Sequence, residues 1–175
     1  IVTDQQLLAI LERQELSLRQ RYELILAEVQ EMRDSLAQVL ESSQGTDDSG
    51  TGNEPEDNGE DELSAEQKQK REESLRLLRV QRAVVQSQKS NQESLGVAVS
   101  FEDIRLQLIN NRVDTQDRKD RLKELIADPL KHVSTVEFPD LDDKLLAYEK
   151  SLEINSESID AAAKSLTQAD VILVQ

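Results

Sequence analysis

The stretch DQQLLAILERQELSLRQRYELILAEVQEMRDSLAQV, residues 4–39, decides the fold. Its apolar side chains recur at alternating steps of four and three residues, at Leu18, Tyr22, Ile25, Val29, Met32, Leu36 and Val39. Extended toward the amino terminus, the same register reaches Leu8, Leu11 and, as its one polar member, Glu15. Residues at these steps lie along one face of a helix, so the stretch predicts a long helix in a coiled coil or bundle.

The composition favours a helical fold and argues against several classes of partner. Aromatic residues make up only 2% of the 175, and four of the five glycines lie between residues 45 and 59. The formal net charge is −15. A surface this acidic argues against binding a nucleic acid, whose phosphates require basic side chains. It also argues against direct docking on anionic lipid headgroups.

We predict an all-α protein, an elongated antiparallel helical bundle or coiled coil of three long helices and one short helix. Residues 1–42 are predicted to form helix 1, residues 43–63 an acidic disordered linker, and residues 64–175 helices 2 to 4 of the same domain. The linker holds eight Asp and Glu and no Lys or Arg. It therefore has too little apolar surface to offset the entropy of ordering.

Helix 2 is predicted to run from Ser64 to about Asn111 with two apolar lines, which places it centrally with two neighbours. The lines are Leu78, Val85, Leu95, Val99, Leu106, Ile109, and Leu77, Val80, Val84, Ala98, Phe101, Leu108. Helix 3 is expected to begin near Gln116 and to kink or end at Asp128-Pro129, because proline removes a helix bond. Helix 4 should start at Pro139 and run unbroken through Asn155 to Gln175, which predicts a fragment of a larger protein.

A polar layer is the candidate site. If helices 1 and 2 pair symmetrically about the linker, Glu15 faces Asn91 and Lys89 in the polar centre of helix 2. Asn155 interrupts the seam of helix 4 in the same way. Such residues either fix the alignment of a bundle at a cost in stability or line a small polar ligand site. On the first interpretation, Glu15→Leu and Asn155→Leu raise the melting temperature.

The sequence offers no catalytic, cofactor-binding or metal-binding residues. It has no cysteine, so a Cys–His catalytic pair and an ordinary zinc site lack their parts. The one histidine, His132, lies just beyond Pro129 and is expected at the surface, an unpromising place for a Ser–His pair. A calcium loop that starts at Asp47 has Asn58 where the bidentate glutamate belongs. We therefore expect no enzymatic activity and no cofactor.

Two short runs carry a family resemblance. The runs NNRVDTQDRKDRL, residues 110–122, and EFPDLD, residues 137–142, are similar to coiled-coil regions of large, uncharacterised planctomycete envelope proteins. The resemblance covers residues 64–175 better than the first third. It implies an extracytoplasmic helical segment of a membrane-anchored bacterial protein, and it brings no activity and no functional residues.

Two functions remain open from the sequence. The first is a structural or protein-interaction module whose partner is a protein, either a second copy or another helical chain. The alternative is a sensory ectodomain, a helical bundle of a membrane-anchored protein that binds a small molecule near Glu15. A scaffold predicts a closed core around Asn91, whereas a sensor predicts a polar cavity there.

Overall fold

The computed structural model describes residues 3–44, 65–113, 115–153 and 158–174, and these residues form an all-α bundle without a strand. The helices are α1 (Asp4–Gln44), α2 (Ala65–Asn110), α3 (Gln116–Leu122), α4 (Asp128–His132), α5 (Phe138–Glu153) and α6 (Ser158–Val174). Two π-helical turns, π1 (Lys123–Ala127) and π2 (Val133–Glu137), join α3 to α4 and α4 to α5. The bulk of the predicted linker lies outside the described residues.

Helix α1 buries the seam that the sequence predicts. Ile25, Val29, Met32, Leu36 and Val39 are all buried. A capping box starts the helix: the Thr3 N–H donates to Gln6 Oε1 at 3.1 Å, and the Gln6 N–H donates to Thr3 Oγ1 at 3.4 Å. These bonds satisfy backbone donors that the first turn leaves free. The predicted face of this helix is confirmed, and the helix ends at Gln44, two residues past the predicted end.

Helix α2 has one buried apolar line and one exposed line. Val80, Val84, Ala98, Phe101 and Leu108 are buried against α1 on one side and against α3 to α5 on the other. The other predicted line, from Leu78 to Ile109, is exposed, so the prediction that both lines contact neighbours is wrong. A single strip of mostly small side chains serves both neighbours, since Ala83, Ser87, Ser90, Ser94 and Ala98 let two helices approach α2 closely.

The turn after α2 is a Schellman motif. The Val113 N–H donates to the Leu108 carbonyl and the Arg112 N–H to the Ile109 carbonyl, both at 3.1 Å. Arg112 takes φ 54°, the left-handed conformation that this position requires and that usually favours glycine. Val113 is buried under the turn, which aims the next helix back along α2.

Residues from Gln116 to Glu153 form one uninterrupted helical path, so the helix does not end at Asp128-Pro129, and the irregularity predicted there as a kink or an end is a π turn. A π turn precedes each proline: the Asp128 N–H bonds to the Lys123 carbonyl, and the Phe138 N–H to the Val133 carbonyl. Each bond joins residues five apart, one more than in an α-helix, and so widens the turn. The wider turn makes room for the ring of the next residue, Pro129 or Pro139, which would otherwise clash with a backbone carbonyl one turn earlier. The helical path therefore passes both prolines, and packing against α2 holds it in place.

Helices α5 and α6 pack side by side, so the predicted single helix through Asn155 is wrong. Only four residues, 154–157, separate them, which makes the pair an antiparallel hairpin. Asn155 itself lies outside the described residues. The alternating steps of four and three residues on which the single helix was predicted still mark buried positions. On that register Leu141, Leu145, Tyr148, Ala162 and Ala169 are all buried. The bundle thus has three long helical paths and one short helix, with α6 as the short one.

The bundle has four helices at one end and three at the other. At the first end α1, α2, α5 and α6 each pack against two others in a closed ring. At the second end α6 is missing, and the backbone of α1 comes within 8 Å of no described residue in Gln116–Glu137. Helix α2 has 46 residues, which at about 1.5 Å per residue span about 70 Å.

Candidate functional site

The structure does not bring the predicted polar layer together. Glu15 pairs with Arg118 of α3, with 2.7 Å between Oε1 and Nη2, and not with Lys89 or Asn91. Lys89 instead bonds both carboxylate oxygens of Glu28, at 2.8 and 3.0 Å. The symmetric pairing of helices 1 and 2 was therefore wrong by about three helical turns.

The cause of this error is the alignment of the two helices. Gln14 near the start of α1 and Gln107 near the end of α2 line the same cleft. A connection as long as the one between α1 and α2 does not force residues at equal distances from it to face each other. The turn after α2 and the packing of the core therefore determine which residues of the two helices are paired. Asn91 is half-buried, and Asn155 lies outside the described residues.

In the structure the residue opposite the polar centre of α2 is Glu28 and not Glu15. Its Oε2 also accepts a bond from Gln86 Nε2 at 2.6 Å. The hydrogen bond from Lys89 is the main cause that lowers the pKa of the Glu28 carboxyl, partly opposed by burial. The cluster is largely exposed, so it contributes to alignment more than to stability.

A half-buried carboxyl group, that of Asp142, lies in the middle of the bundle beside the buried Ser87. Ser87 Oγ of α2 donates to Asp142 Oδ1 of α5 at 2.5 Å. Burial raises the pKa of the Asp142 carboxyl, the Ser87 bond opposes the rise, and the charge of Asp143 adds to it. The sequence showed Ser87 only as part of a polar run and gave no sign of its partner on α5.

We expect Asp142→Asn to raise the melting temperature at neutral pH. Because the folded state raises the pKa of this carboxyl, its ionisation costs stability at pH above the folded pKa. The cost disappears as the pH falls below the unfolded value, so the gain from Asp142→Asn should shrink between neutral pH and about pH 4. Thermal melts of both proteins at several pH values measure this. Asp143→Asn, an exposed neighbour with the same change of charge, is the control; an equal gain there at every pH would contradict the prediction.

A polar network holds α6 on the third helical path. Lys144 Nζ donates to Gln168 Oε1 at 2.7 Å, and Gln168 Nε2 donates to Glu137 Oε2 at 2.8 Å. Gln168 Nε2 also lies 3.3 Å from the Glu137 carbonyl in π2. His132 Nε2 is 3.2 Å from Glu137 Oε1, and its ring is exposed, as the sequence predicted. Gln168 is buried, and its bonds to Lys144 and Glu137 hold the last turns of α6 in place beside α5 and π2.

An apolar groove of about 320 Å³ opens where the fourth helix is missing. Its walls are α1 and the path from π1 to π2, and Phe101 of α2 lies between them. The lining residues are Arg19, Tyr22, Glu23, Phe101, Leu125, Ile126, Pro129, Leu130 and Val133. Partial burial raises the pKa of the Tyr22 phenol. Leu125 and Ile126 belong to the apolar face of the predicted helix 3, and among the described residues no helix covers them.

A second apolar surface, which we call the outer stripe, runs along α2. It consists of Leu78, Val85, Leu95, Val99, Leu106 and Ile109, whose exposed fractions range from 38 to 67%. Leu95, Val99, Leu106 and Ile109 follow coiled-coil spacing with Glu102 between them. Glu102 pairs with Arg105 at 2.9 Å, one turn away on the same helix.

No constellation for metal chemistry is found in the described part of the chain. Among the residues in 3–44, 65–113, 115–153 and 158–174, no three His, Asp or Glu side chains are grouped so that they could hold a metal ion. None of the described helices combines the length and the apolar content that crossing a membrane requires.

Comparisons with protein-family models, with curated proteins and with solved structures found no match for this chain. The resemblance to planctomycete envelope proteins therefore stays a prediction.

Proposed function

We propose that this chain is a structural or protein-interaction module without chemistry of its own, and that it packs helix against helix with its partner. The observation that supports the proposal most directly is the outer stripe of α2. Six large apolar residues lie exposed on one helix at the spacing that coiled coils bury. Scattered exposed apolar residues are ordinary, but six that share one heptad register on one helix are typical of an interface, even with Gln81, Gln88, Gln92 and Glu102 at the positions between them.

The partner that fits the outer stripe is a second copy of the same stripe. A two-fold axis across α2 would place each stripe against its own equivalent and close the assembly as a dimer. The mixed charges beside the stripe, such as the Glu102–Arg105 pair, suit a helical surface of the same kind. The acidic net charge argues against nucleic acid and anionic membrane surfaces as partners.

Sedimentation equilibrium over a wide range of protein concentration tests this proposal. We expect the native chain to associate reversibly and Leu106→Glu to shift it to monomer, because a buried unpaired carboxylate opposes the interface. Leu146→Glu on α5 is the control, since Leu146 is about as exposed as Leu106 and lies outside the stripe. A native chain that stays monomeric at every concentration would contradict the proposal for the outer stripe.

The alternative of a sensory ectodomain has less support from the site. It requires a polar cavity beside Glu15, and Glu15 is engaged by Arg118 instead. We include in the proposal the location that the family resemblance implies, which is an extracytoplasmic position in the cell envelope. Fractionation of cells that express the tagged protein, with protease accessibility as the readout, tests this location.

A further inference from the structure

The groove between α1 and the path from π1 to π2 continues a surface that already binds a helix. Helix α6 packs against α1 and against π2 and α5 at the four-helix end. Near its end, Asp170 pairs with Arg33 of α1 at 2.7 Å, and Gln168 bonds to Glu137 of π2. The groove residues lie further along both walls, in the direction in which α6 runs.

Both ends of the groove are defined. Helix α6 closes the near end, opposite Arg33 of α1. The far end is crossed by the ion pair between Glu15 of α1 and Arg118 of α3, at 2.7 Å. The stretch of α1 between these limits is about twelve to eighteen residues, or about 18–27 Å at 1.5 Å per residue, which corresponds to three to five turns of helix.

The lining of the groove is that of an uncovered bundle core. Leu125 is 70% exposed although it belongs to the apolar line of α3 and π1, whereas Phe101 and Leu130 below it are buried. Arg19 and Glu23 of α1 stand at the rim and give the groove one positive and one negative edge group. An apolar floor with charged edges matches the amphipathic helices that bind in grooves through residues one turn apart.

We propose that this groove binds one amphipathic helix of a protein partner, laid antiparallel to α1 and in line with α6. The occupant presents aliphatic side chains at i, i+3 or i+4 and i+7 to Phe101, Leu125 and Leu130. It carries an acidic residue beside Arg19 and a basic residue beside Glu23. The inference rests on the proposed function as a protein-interaction module, and it names a surface distinct from the outer stripe.

A displayed library of helical peptides tests the inference. The peptides carry Leu, Ile or Ala at seam positions and varied polar residues elsewhere, and the native chain is the bait. The dissociation constants of selected peptides are then measured by fluorescence anisotropy against Leu125→Glu and Leu24→Glu. These two leucines are matched, since they are 70% and 69% exposed and only Leu125 lines the groove. Circular dichroism verifies that both variants keep the native helicity.

We expect Leu125→Glu to weaken binding roughly tenfold or more and Leu24→Glu to leave it unchanged. Peptides that bind Leu125→Glu normally but lose affinity for Leu106→Glu would overturn the groove and leave the proposed function intact. Failure to select any peptide would overturn the groove as well, while the sedimentation result for the outer stripe decides the proposed function separately. A native dimer that Leu125→Glu dissociates would show that a second copy, and not another partner, fills the groove.

Discussion

Replacing Phe138 with alanine should lower the free energy of unfolding by about 3–5 kcal/mol. Phe138 is 1% exposed and belongs to the main core cluster. Truncation removes the transfer free energy of the ring and leaves a cavity that the surroundings fill only in part. Its backbone N–H closes π2, and Pro139 follows it, so the chain there has little freedom to move inward.

The measurement is denaturant unfolding followed by circular dichroism, with the slope compared between proteins to verify that the transition stays comparable. Val136→Ala is the control, because Val136 lies in the same π turn and is 48% exposed. We expect it to cost less than about 0.5 kcal/mol, as surface substitutions usually do. Equal losses for the two variants would show that the π turn, and not the core around Phe138, determines the stability.

The buried faces of α1 and α5 were predictable from the sequence, because apolar side chains at helical spacing share one face. The seam from Ile25 to Val39 and the alternating line from Leu141 to Tyr148 are buried as the spacing requires. Apolar side chains at these steps share one face of a helix whatever that helix packs against. The all-α class follows directly from such patterns.

Neither the pairing of helices nor their ends could be predicted in the same way. Glu15 was placed opposite Asn91 on the assumption of a symmetric hairpin, whereas core packing aligns Glu28 with Lys89. Pro129 was expected to kink or end a helix, whereas π1 widens the turn before it and the path continues. The apolar spacing continues without interruption past Asn155 and therefore predicted one helix. The structure has two helices there, because α5 and α6 pack against each other and each buries its own residues of that spacing. These outcomes depend on contacts between distant residues.

The surfaces proposed for binding were visible in the sequence only as apolar residues. Leu125 in π1 and Val99 in α2 belong to lines that would serve equally well as core. What makes them candidates is the absence of a described neighbour over each, a property of the whole bundle. The two surfaces also use different sides of α2, since Phe101 lies in the groove and Val99 faces solvent. One bundle could therefore hold a second copy and a partner helix at once.

We expect Glu15→Leu to destabilise the protein by about 2–3 kcal/mol, because it leaves the nearly buried guanidinium of Arg118 without its closest carboxylate. This loss is the opposite of the gain in stability that the sequence pattern predicts. The side chains of Glu15 and Arg118 are only 13% and 15% exposed. Thermal and denaturant melts measure the loss. Glu12→Leu is the matched control, since Glu12 is 3.7 Å from the same guanidinium but 64% exposed, and it should cost little.

The double variant Glu15→Leu/Arg118→Leu separates the pair from its surroundings. A buried ion pair that two apolar residues replace often costs nothing, whereas the loss of one partner is expensive. We therefore expect the double variant to be more stable than Glu15→Leu alone, with a coupling energy of about 2 kcal/mol. This pair joins α1 to α3 at the end where their backbones stay more than 8 Å apart. If Glu15→Leu were instead as stable as the native chain, packing on α2 alone would hold the three-helix end together, and the far limit of the groove would be open.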